Sequence, residues 1–520
     1  MVRPSLEEAR SLAAQEDCRC LPLARELFAD IRTPIEVMRI LKGVSDHCYL
    51  LESVENSGQW GRFTFLGYDP SLEITCLDGV TFLDGKPFSH ADPAEEIRAI
   101  LHRHRAPRLE GMPPFCGGLV GYFSYEYLKY AEPTLDVDTF DEEGFKDVDL
   151  MMFDKVIAFD HQRQKIVCIV NIPLCESSID DAYRRGCDDL QAMVDLIERG
   201  EPVAQTAGRI TSPVRRLFDE REYCQMVERA KEHIREGDIF QVVLSNRLDA
   251  DFEGSLLDTY RVLRTSNPSP YMFYFSSDDI EMAGASPETL VRLEDGELHT
   301  FPLAGTCRRG STPEEDEELA RALLEDEKEL AEHNMLVDLG RNDIGKISEF
   351  GTVEVESYHR VLRYSHVMHI GSTVRGQLDA NHDAVDAVRA VLPAGTLSGA
   401  PKIRACQIIN DLEGGKRGIY GGAVGYLDLT GNLDTCIAIR LAFKKNGKVF
   451  VRSGAGIVAD SVPSSENQEC INKAAAVVAA LDEASALYGS GAATEGEGGA
   501  SAGGGMPPAG IVFDREEDLR

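Results

Sequence analysis

Segments with the period of a strand and segments with the period of a helix follow one another irregularly along these 520 residues, and this order limits the fold more than any other feature. No βα spacing repeats, which excludes a barrel or a doubly wound sheet and predicts an α+β arrangement of largely antiparallel sheets. Short strands are expected at His47–Ser53, Gly61–Gly67, Leu72–Cys76 and Gly117–Phe123, and Asp149–Asp160 with Gln164–Val170 reads as a hairpin. Ala94–His104 and Ile179–Arg199 are the better helices of this half. Pro202, Pro213 and weak periodicity mark a linker over 201–218, between an N-terminal domain (1–200) and a second body (219–487). That body opens with Tyr223, Met226, Val227, Ala230 and Ile234 at helical spacing, a closing Gly237 and a strand over Ile239–Ser245. Residues 488–520, rich in Gly, Ala and Ser, are expected to form a disordered tail.

The net charge of −34 argues against a nucleic-acid partner, because no basic patch offsets it. No apolar run reaches the roughly 18 residues of a membrane span, and the N-terminus lacks the apolar core of a signal peptide. Thirteen cysteines, an odd number without zinc or redox spacing, fit a reducing compartment, so a cytoplasmic protein without membrane contact is expected.

Two Glu-x-x-Glu pairs carry the chemistry: Glu329/Glu332 and Glu466/Glu469. In a chain with 88 acidic residues such spacing usually marks a solvated helix face, as for Glu52/Glu55 and Glu315/Glu318. The surroundings set these two apart. Thr312-Pro313-Glu314-Glu315 predicts a helix start, and one helix is expected from there toward Leu339, carrying Glu332 into an apolar stretch where a carboxylate needs a cation or donors. Glu466, Glu469 and Lys473 form one stripe after a glycine-containing strand, in which Gly454 and Gly456 let backbone N–H groups approach an anion. A site for a metal-bound anionic small molecule follows.

Several strings, in order, resemble one known family: Pro302-Leu303-Ala304-Gly305-Thr306, Ala331 to Asp343, Gly395-Thr396-Leu397-Ser398-Gly399-Ala400-Pro401-Lys402, Tyr420 to Tyr426, Asp434 to Arg440, and Gly454-Ala455-Gly456. They are similar to the chorismate-binding domain of anthranilate synthase component I, over about residues 220–485, with a partner domain from about residue 30. The resemblance implies two interleaved subdomains whose antiparallel sheets pack as a sandwich with helices outside. It implies a Mg²⁺-dependent lyase of tryptophan biosynthesis that converts chorismate and ammonia to anthranilate and pyruvate. Glu332 and Glu469 are then Mg²⁺ ligands with Glu329 and Glu466 beside them, an arrangement that suits a hard cation. Gly305, Thr306, Tyr420, Arg440, Gly454 and Gly456 are implied as substrate contacts, and Lys473 offsets charge on the dianion. Glu288 matches the proposed general acid, and His369 a residue linked with elimination.

Gln241 stands where related isochorismate synthases carry a water-activating lysine, and Ala304 where the aminodeoxychorismate branch has a lysine nucleophile; neither residue can do that work. Ser53, Asn267, Pro270, Tyr271 and Met272 resemble the segments that bind tryptophan as a feedback inhibitor, drawn from both domains. No glutaminase motif is fused to the chain, so ammonia from glutamine would require a separate amidotransferase subunit in a hetero-oligomer. Cys307-Arg308-Arg309 departs from the family's usual Arg-Pro-Arg. Two alternatives remain: a 2-amino-2-deoxyisochorismate synthase, and a non-catalytic paralogue that senses chorismate or tryptophan.

Overall fold

The computed structural model describes residues 2–14, 18–53, 61–90, 92–135, 140–174, 178–363 and 367–487; the expected tail lies outside them. Two antiparallel sheets, of fourteen and twelve strands, are built from both halves of the chain. In the larger, Cys20–Phe28, Lys165–Pro173, Lys155–Asp160, Phe63–Tyr68 and Cys48–Glu52 are followed without a gap by Tyr271–Ser276, Glu281–Ser286, Leu441–Lys445, Lys448–Ile457 and Gln241–Glu253. The junction is the pairing of Glu52 with Met272. In the smaller, Ala423–Asp428 joins Gly118–Phe123.

The inner faces meet in an aromatic core that includes Phe65, Tyr122, Phe153, Phe273 and Phe450. Burying such a side chain supplies about 2–3 kcal/mol of transfer free energy. Helices Ile179–Arg199, Leu257–Ser266 and Pro463–Ala486 cover the outer face of the larger sheet, and Pro93–Arg103, Glu327–Gly345 and Ala384–Val391 that of the smaller. The fold is therefore α+β with two largely antiparallel sheets and helices outside, as expected. No helix among the described residues is long and apolar enough to cross a membrane.

Three local expectations change. Asp149–Asp160 is not one arm of a hairpin: Val148–Phe153 lies in the smaller sheet and Lys155–Asp160 in the larger. The chain switches sheets at Asp154, whose carbonyl accepts from the backbone and side-chain amides of Asn171. Both strands are buried on both faces, so each is mostly apolar without alternation, and only the charged pair Asp154-Lys155 marks the switch between them. The linker contains two short strands, Arg209–Ile210 and Arg215–Arg216, paired with Gln241–Glu253. The helix expected from Thr312 is two, Pro313–Glu325 and Glu327–Gly345, because Asp326 adopts extended backbone and its carboxylate caps the N–H groups of Lys328 and Glu329.

Candidate active site

That break fixes the first acid pair. Glu329 and Glu332 stand in the first two turns of the new helix, both half-buried. Glu466 and Glu469 occupy the equivalent turns of Pro463–Ala486, which starts on Pro463 at a position where a missing N–H costs nothing. The two helices bring the pairs together: burial, then the charges of Glu332 and, more weakly, Glu469 push the Glu329 carboxyl up. Burial and Glu469 do the same to Glu466. Lys328 lies close enough to act on both.

From these acids the predicted residues close a ring. The carboxylate of Glu329 lies beside Gly305, where a methyl group would stand 3.1 Å from Oε2. Gly305 has φ +66°, a conformation open to glycine at little cost. Its carbonyl accepts from His369 Nδ1 at 2.9 Å, and Thr306 Oγ1 lies 3.1 Å from the same nitrogen. A carbonyl can only accept, so Nδ1 carries the proton and Nε2 is the basic nitrogen; burial keeps the ring neutral by lowering its pKa. His369 feels the charge of Arg440, and Arg440 lies within electrostatic reach of Tyr420. A methyl group on Gly454 would stand 2.9 Å from the Tyr420 hydroxyl. The Gly454 carbonyl accepts from Lys473 Nζ at 3.1 Å, and Lys473 pairs with Glu469 at 2.7 Å, returning to the acids.

Arg440 is the positive element without an internal counter-charge. It forms no ion pair among the described residues, and burial depresses its pKa. An anion placed there would supply the missing partner. Glu288, on the loop after Glu281–Ser286, is 9% exposed and accepts from Thr396 Oγ1 at 3.2 Å. Burial pushes its pKa up to about 8 against the opposing effects of Thr396 and Lys473, so it is a protonated acid at neutral pH.

Four carboxylates from two helices are hard oxygen donors suited to a divalent cation that keeps several waters. Their mutual repulsion is what such a cation would relieve. The set is open: among the described residues, only His233, Glu236 and Asp238 bring three potential ligand atoms within 4.8 Å of one another, and there Arg404 already pairs with Asp238.

Gln241 is buried against the same wall, its amide nitrogen 2.6 Å from where a Gly456 methyl would stand. Ala304 is buried next to Gly305. The Ser53, Asn267, Pro270, Tyr271 and Met272 group lies at the junction between the halves of the larger sheet. Glu52 pairs with Met272, the Ser53 hydroxyl is buried without a hydrogen-bond partner among the described residues, and Asn267 ends helix Leu257–Ser266. Tyr271 reaches Thr289, the neighbour of Glu288, through a hydroxyl–hydroxyl contact of 3.0 Å, and donates to Asp434 at 2.8 Å.

Four residues escaped sequence reasoning. Thr396 stood in a quoted motif without a role. Beneath the site, buried Arg417 and Arg452 both bind Glu413, and Arg417 also donates to the Leu397 carbonyl beside Thr396. Isolated Arg and Glu residues in a charged chain give no sign of such a network; only the fold makes them neighbours.

Residues 46–479 match the model of a family described as chorismate binding enzyme. The chain is 42% identical to anthranilate synthase component 1 of Acetivibrio thermocellus over 495 residues, covering 93% of this chain and 99% of that protein. It is 44% identical to the Pseudomonas aeruginosa protein of the same name, covering 91% and 98%. The crystal structure of anthranilate synthase component I from Streptococcus pneumoniae TIGR4 superposes with a TM-score of 0.70 at 37% identity, over 87% of this chain and 98% of that one. On the family match and these likenesses together, this chain belongs to the anthranilate synthase component I family of chorismate-binding enzymes.

Proposed function

We propose that the enzyme aminates chorismate with ammonia and then eliminates pyruvate to give anthranilate, with ammonia delivered from glutamine by a separate amidotransferase subunit and tryptophan acting as inhibitor. The observation that carries this reading is Glu288: a buried, protonated carboxyl beside Lys473, at the edge of a ring that contains the unpaired Arg440. Arg440 and Lys473 hold the substrate's carboxylates. As the bond from ammonia nitrogen to C2 forms, the ring double bonds shift and the C4–O bond breaks. Glu288 gives its proton to the departing hydroxyl, which leaves as water, and the new ammonium sheds one proton. In the second step the C2 proton is removed, with His369 Nε2 as the base, the C3–O bond breaks, and enolpyruvate takes up a proton to become pyruvate.

Glu332 and Glu469 would hold Mg²⁺, with Glu329 and Glu466 beside them, and the ion would supply positive charge for the ring carboxylate. Gln241 and Ala304 offer neither a base for water nor an amine nucleophile, which favours direct attack by ammonia. For tryptophan, the Ser53–Tyr271 junction joins both halves of the chain and Tyr271 touches the residue next to Glu288, so a ligand there can bias the acid's position. Chorismate and ammonium should give fluorescent anthranilate that a chelator abolishes, Mg²⁺ restores and tryptophan suppresses. Activity indifferent to chelation would remove the metal from this account, and activity indifferent to tryptophan would remove the regulatory site.

A further inference from the structure

Glu288 also lines a second space, a cleft of about 40 Å³ between helix Glu327–Gly345 and the turn Gly395–Leu397. Thr300, Gly340, Asp343 and Thr396 share its walls. Such a volume holds about two or three water molecules. Two polar atoms on its lining residues have no hydrogen-bond partner among the described residues: Thr300 Oγ1 and Asp343 Oδ1. Both residues are nearly sealed from the surface, at 5% and 2% exposure. Asp343 is held by its other oxygen, which accepts from Lys402 Nζ at 2.7 Å, while Lys402 also donates to the Val391 carbonyl. Lys346 approaches Oδ1 only to 3.8 Å, beyond hydrogen-bond reach. Gly340 keeps the space open, since a methyl group there would stand 3.0 Å from Thr300 Oγ1.

A buried hydroxyl or carboxylate oxygen left without a partner costs about 1–3 kcal/mol, so two such atoms around one small polar space call for a small polar guest. The position of Glu288 gives that guest a task. With substrate bound on the Lys473 side, a carboxylate this deeply buried needs a path by which to recover the proton it has lost, and the cleft lies along its other side. We propose that the cleft is a water relay in which Thr300 and Asp343 are positioning residues, holding the water that returns a proton to Glu288 after each turnover. The proposal rests on Glu288 being the general acid. In the step itself one water O–H bond breaks as the carboxyl O–H bond forms, and solvent protons refill the relay. The proton shed by the incoming nitrogen balances the one lost with the hydroxyl, so no oxidant, reductant or net acid is required.

The test is steady-state kinetics of the full chain with ammonium in H₂O and D₂O, comparing wild type with Thr300→Val, Thr300→Ser and Glu288→Gln. Thr300→Val keeps volume and removes the hydroxyl, which avoids disturbing the Asp343–Lys402 pair. The relay predicts a fall in kcat of about tenfold for Thr300→Val, part of what a general acid contributes. It also predicts a larger solvent isotope effect on kcat, a KM for chorismate within about twofold of wild type, and recovery in Thr300→Ser. Glu288→Gln inactive with Thr300→Val unchanged in kcat and isotope effect would overturn the relay and leave the acid assignment standing. A Thr300→Val defect confined to the KM for ammonium would overturn it in favour of a nucleophile path. Glu288→Gln with wild-type kcat would overturn the acid assignment, and the relay with it.

Discussion

Glu332→Gln and Glu469→Gln should each lower turnover by about a hundredfold or more while the protein stays folded. The substitution keeps the shape of the side chain and removes its charge, and both positions are half-buried, so packing changes little. The two helices bring like charges together, and the Glu329 carboxyl is raised first by burial and then by the nearby charges of Glu332 and, more weakly, Glu469. Removing the Glu332 charge lets that carboxyl relax toward the ordinary range, so the metal-free variant should be slightly more stable than wild type, by no more than about 1 kcal/mol given solvent screening. Mg²⁺ should raise the Tm of wild type and leave the variants unchanged, since only a ligand bound by the folded state stabilises it. Differential scanning calorimetry with and without Mg²⁺ checks this directly. Equal Mg²⁺ stabilisation of wild type and both variants would show that these acids are not the ligands.

Glu288→Gln should cost about 10²–10⁴ in kcat, the range of a positioned general acid. Its pH dependence is more specific than the loss itself. Burial places the Glu288 pKa at about 8, so wild-type kcat/KM should be level through neutral pH and fall as pH rises past about 8, when the acid loses its proton. A bound dianion raises that pKa further, so the limb in kcat should lie at higher pH than the limb in kcat/KM. Residual activity of the variant should lack the limb. Stability follows the same sign: the folded pKa lies above the ordinary Glu value, so the contribution of the neutral acid is complete below that value and is lost as pH rises through about 8. The Tm of wild type should therefore fall relative to Glu288→Gln between pH 6 and pH 9. Parallel pH profiles for the two proteins would contradict the assignment.

The sequence disclosed the fold class and the residues of a candidate site, but not how the scaffold brings those residues together. Gly454 and Gly456 could be recognised because backbone close to an anion demands glycine, and Gly305 through the family resemblance; their neighbours in the structure are a predicted acid, the tyrosine and the amide. The acid pairs were visible by helical spacing, but their convergence was not, because it depends on two helices 137 residues apart from Glu332 to Glu469 packing beside one another. Asp154 and Asp326 show where periodicity fails. At Asp154 mostly apolar strands stand on both sides, so periodicity joins them across a change of sheet that only Asp154-Lys155 marks, and at Asp326 a helix-compatible run is cut by a cap that satisfies the backbone of the next helix. Thr396 and Asp343 stood in quoted motifs without a role and Thr300 stood in none, since each acquires its meaning from one side chain or one cleft wall supplied by a distant segment.

The central claim is an amination followed by loss of pyruvate, and product analysis by mass spectrometry with ammonium as the sole nitrogen source tests it most directly. Chorismate should be converted to anthranilate and pyruvate in equal amounts. A product that retains the enolpyruvyl group on an aminated ring would stop the reaction at 2-amino-2-deoxyisochorismate, isochorismate would mean that water is the nucleophile despite Gln241, and unchanged chorismate from folded protein would mean that the site only binds; each would contradict the account.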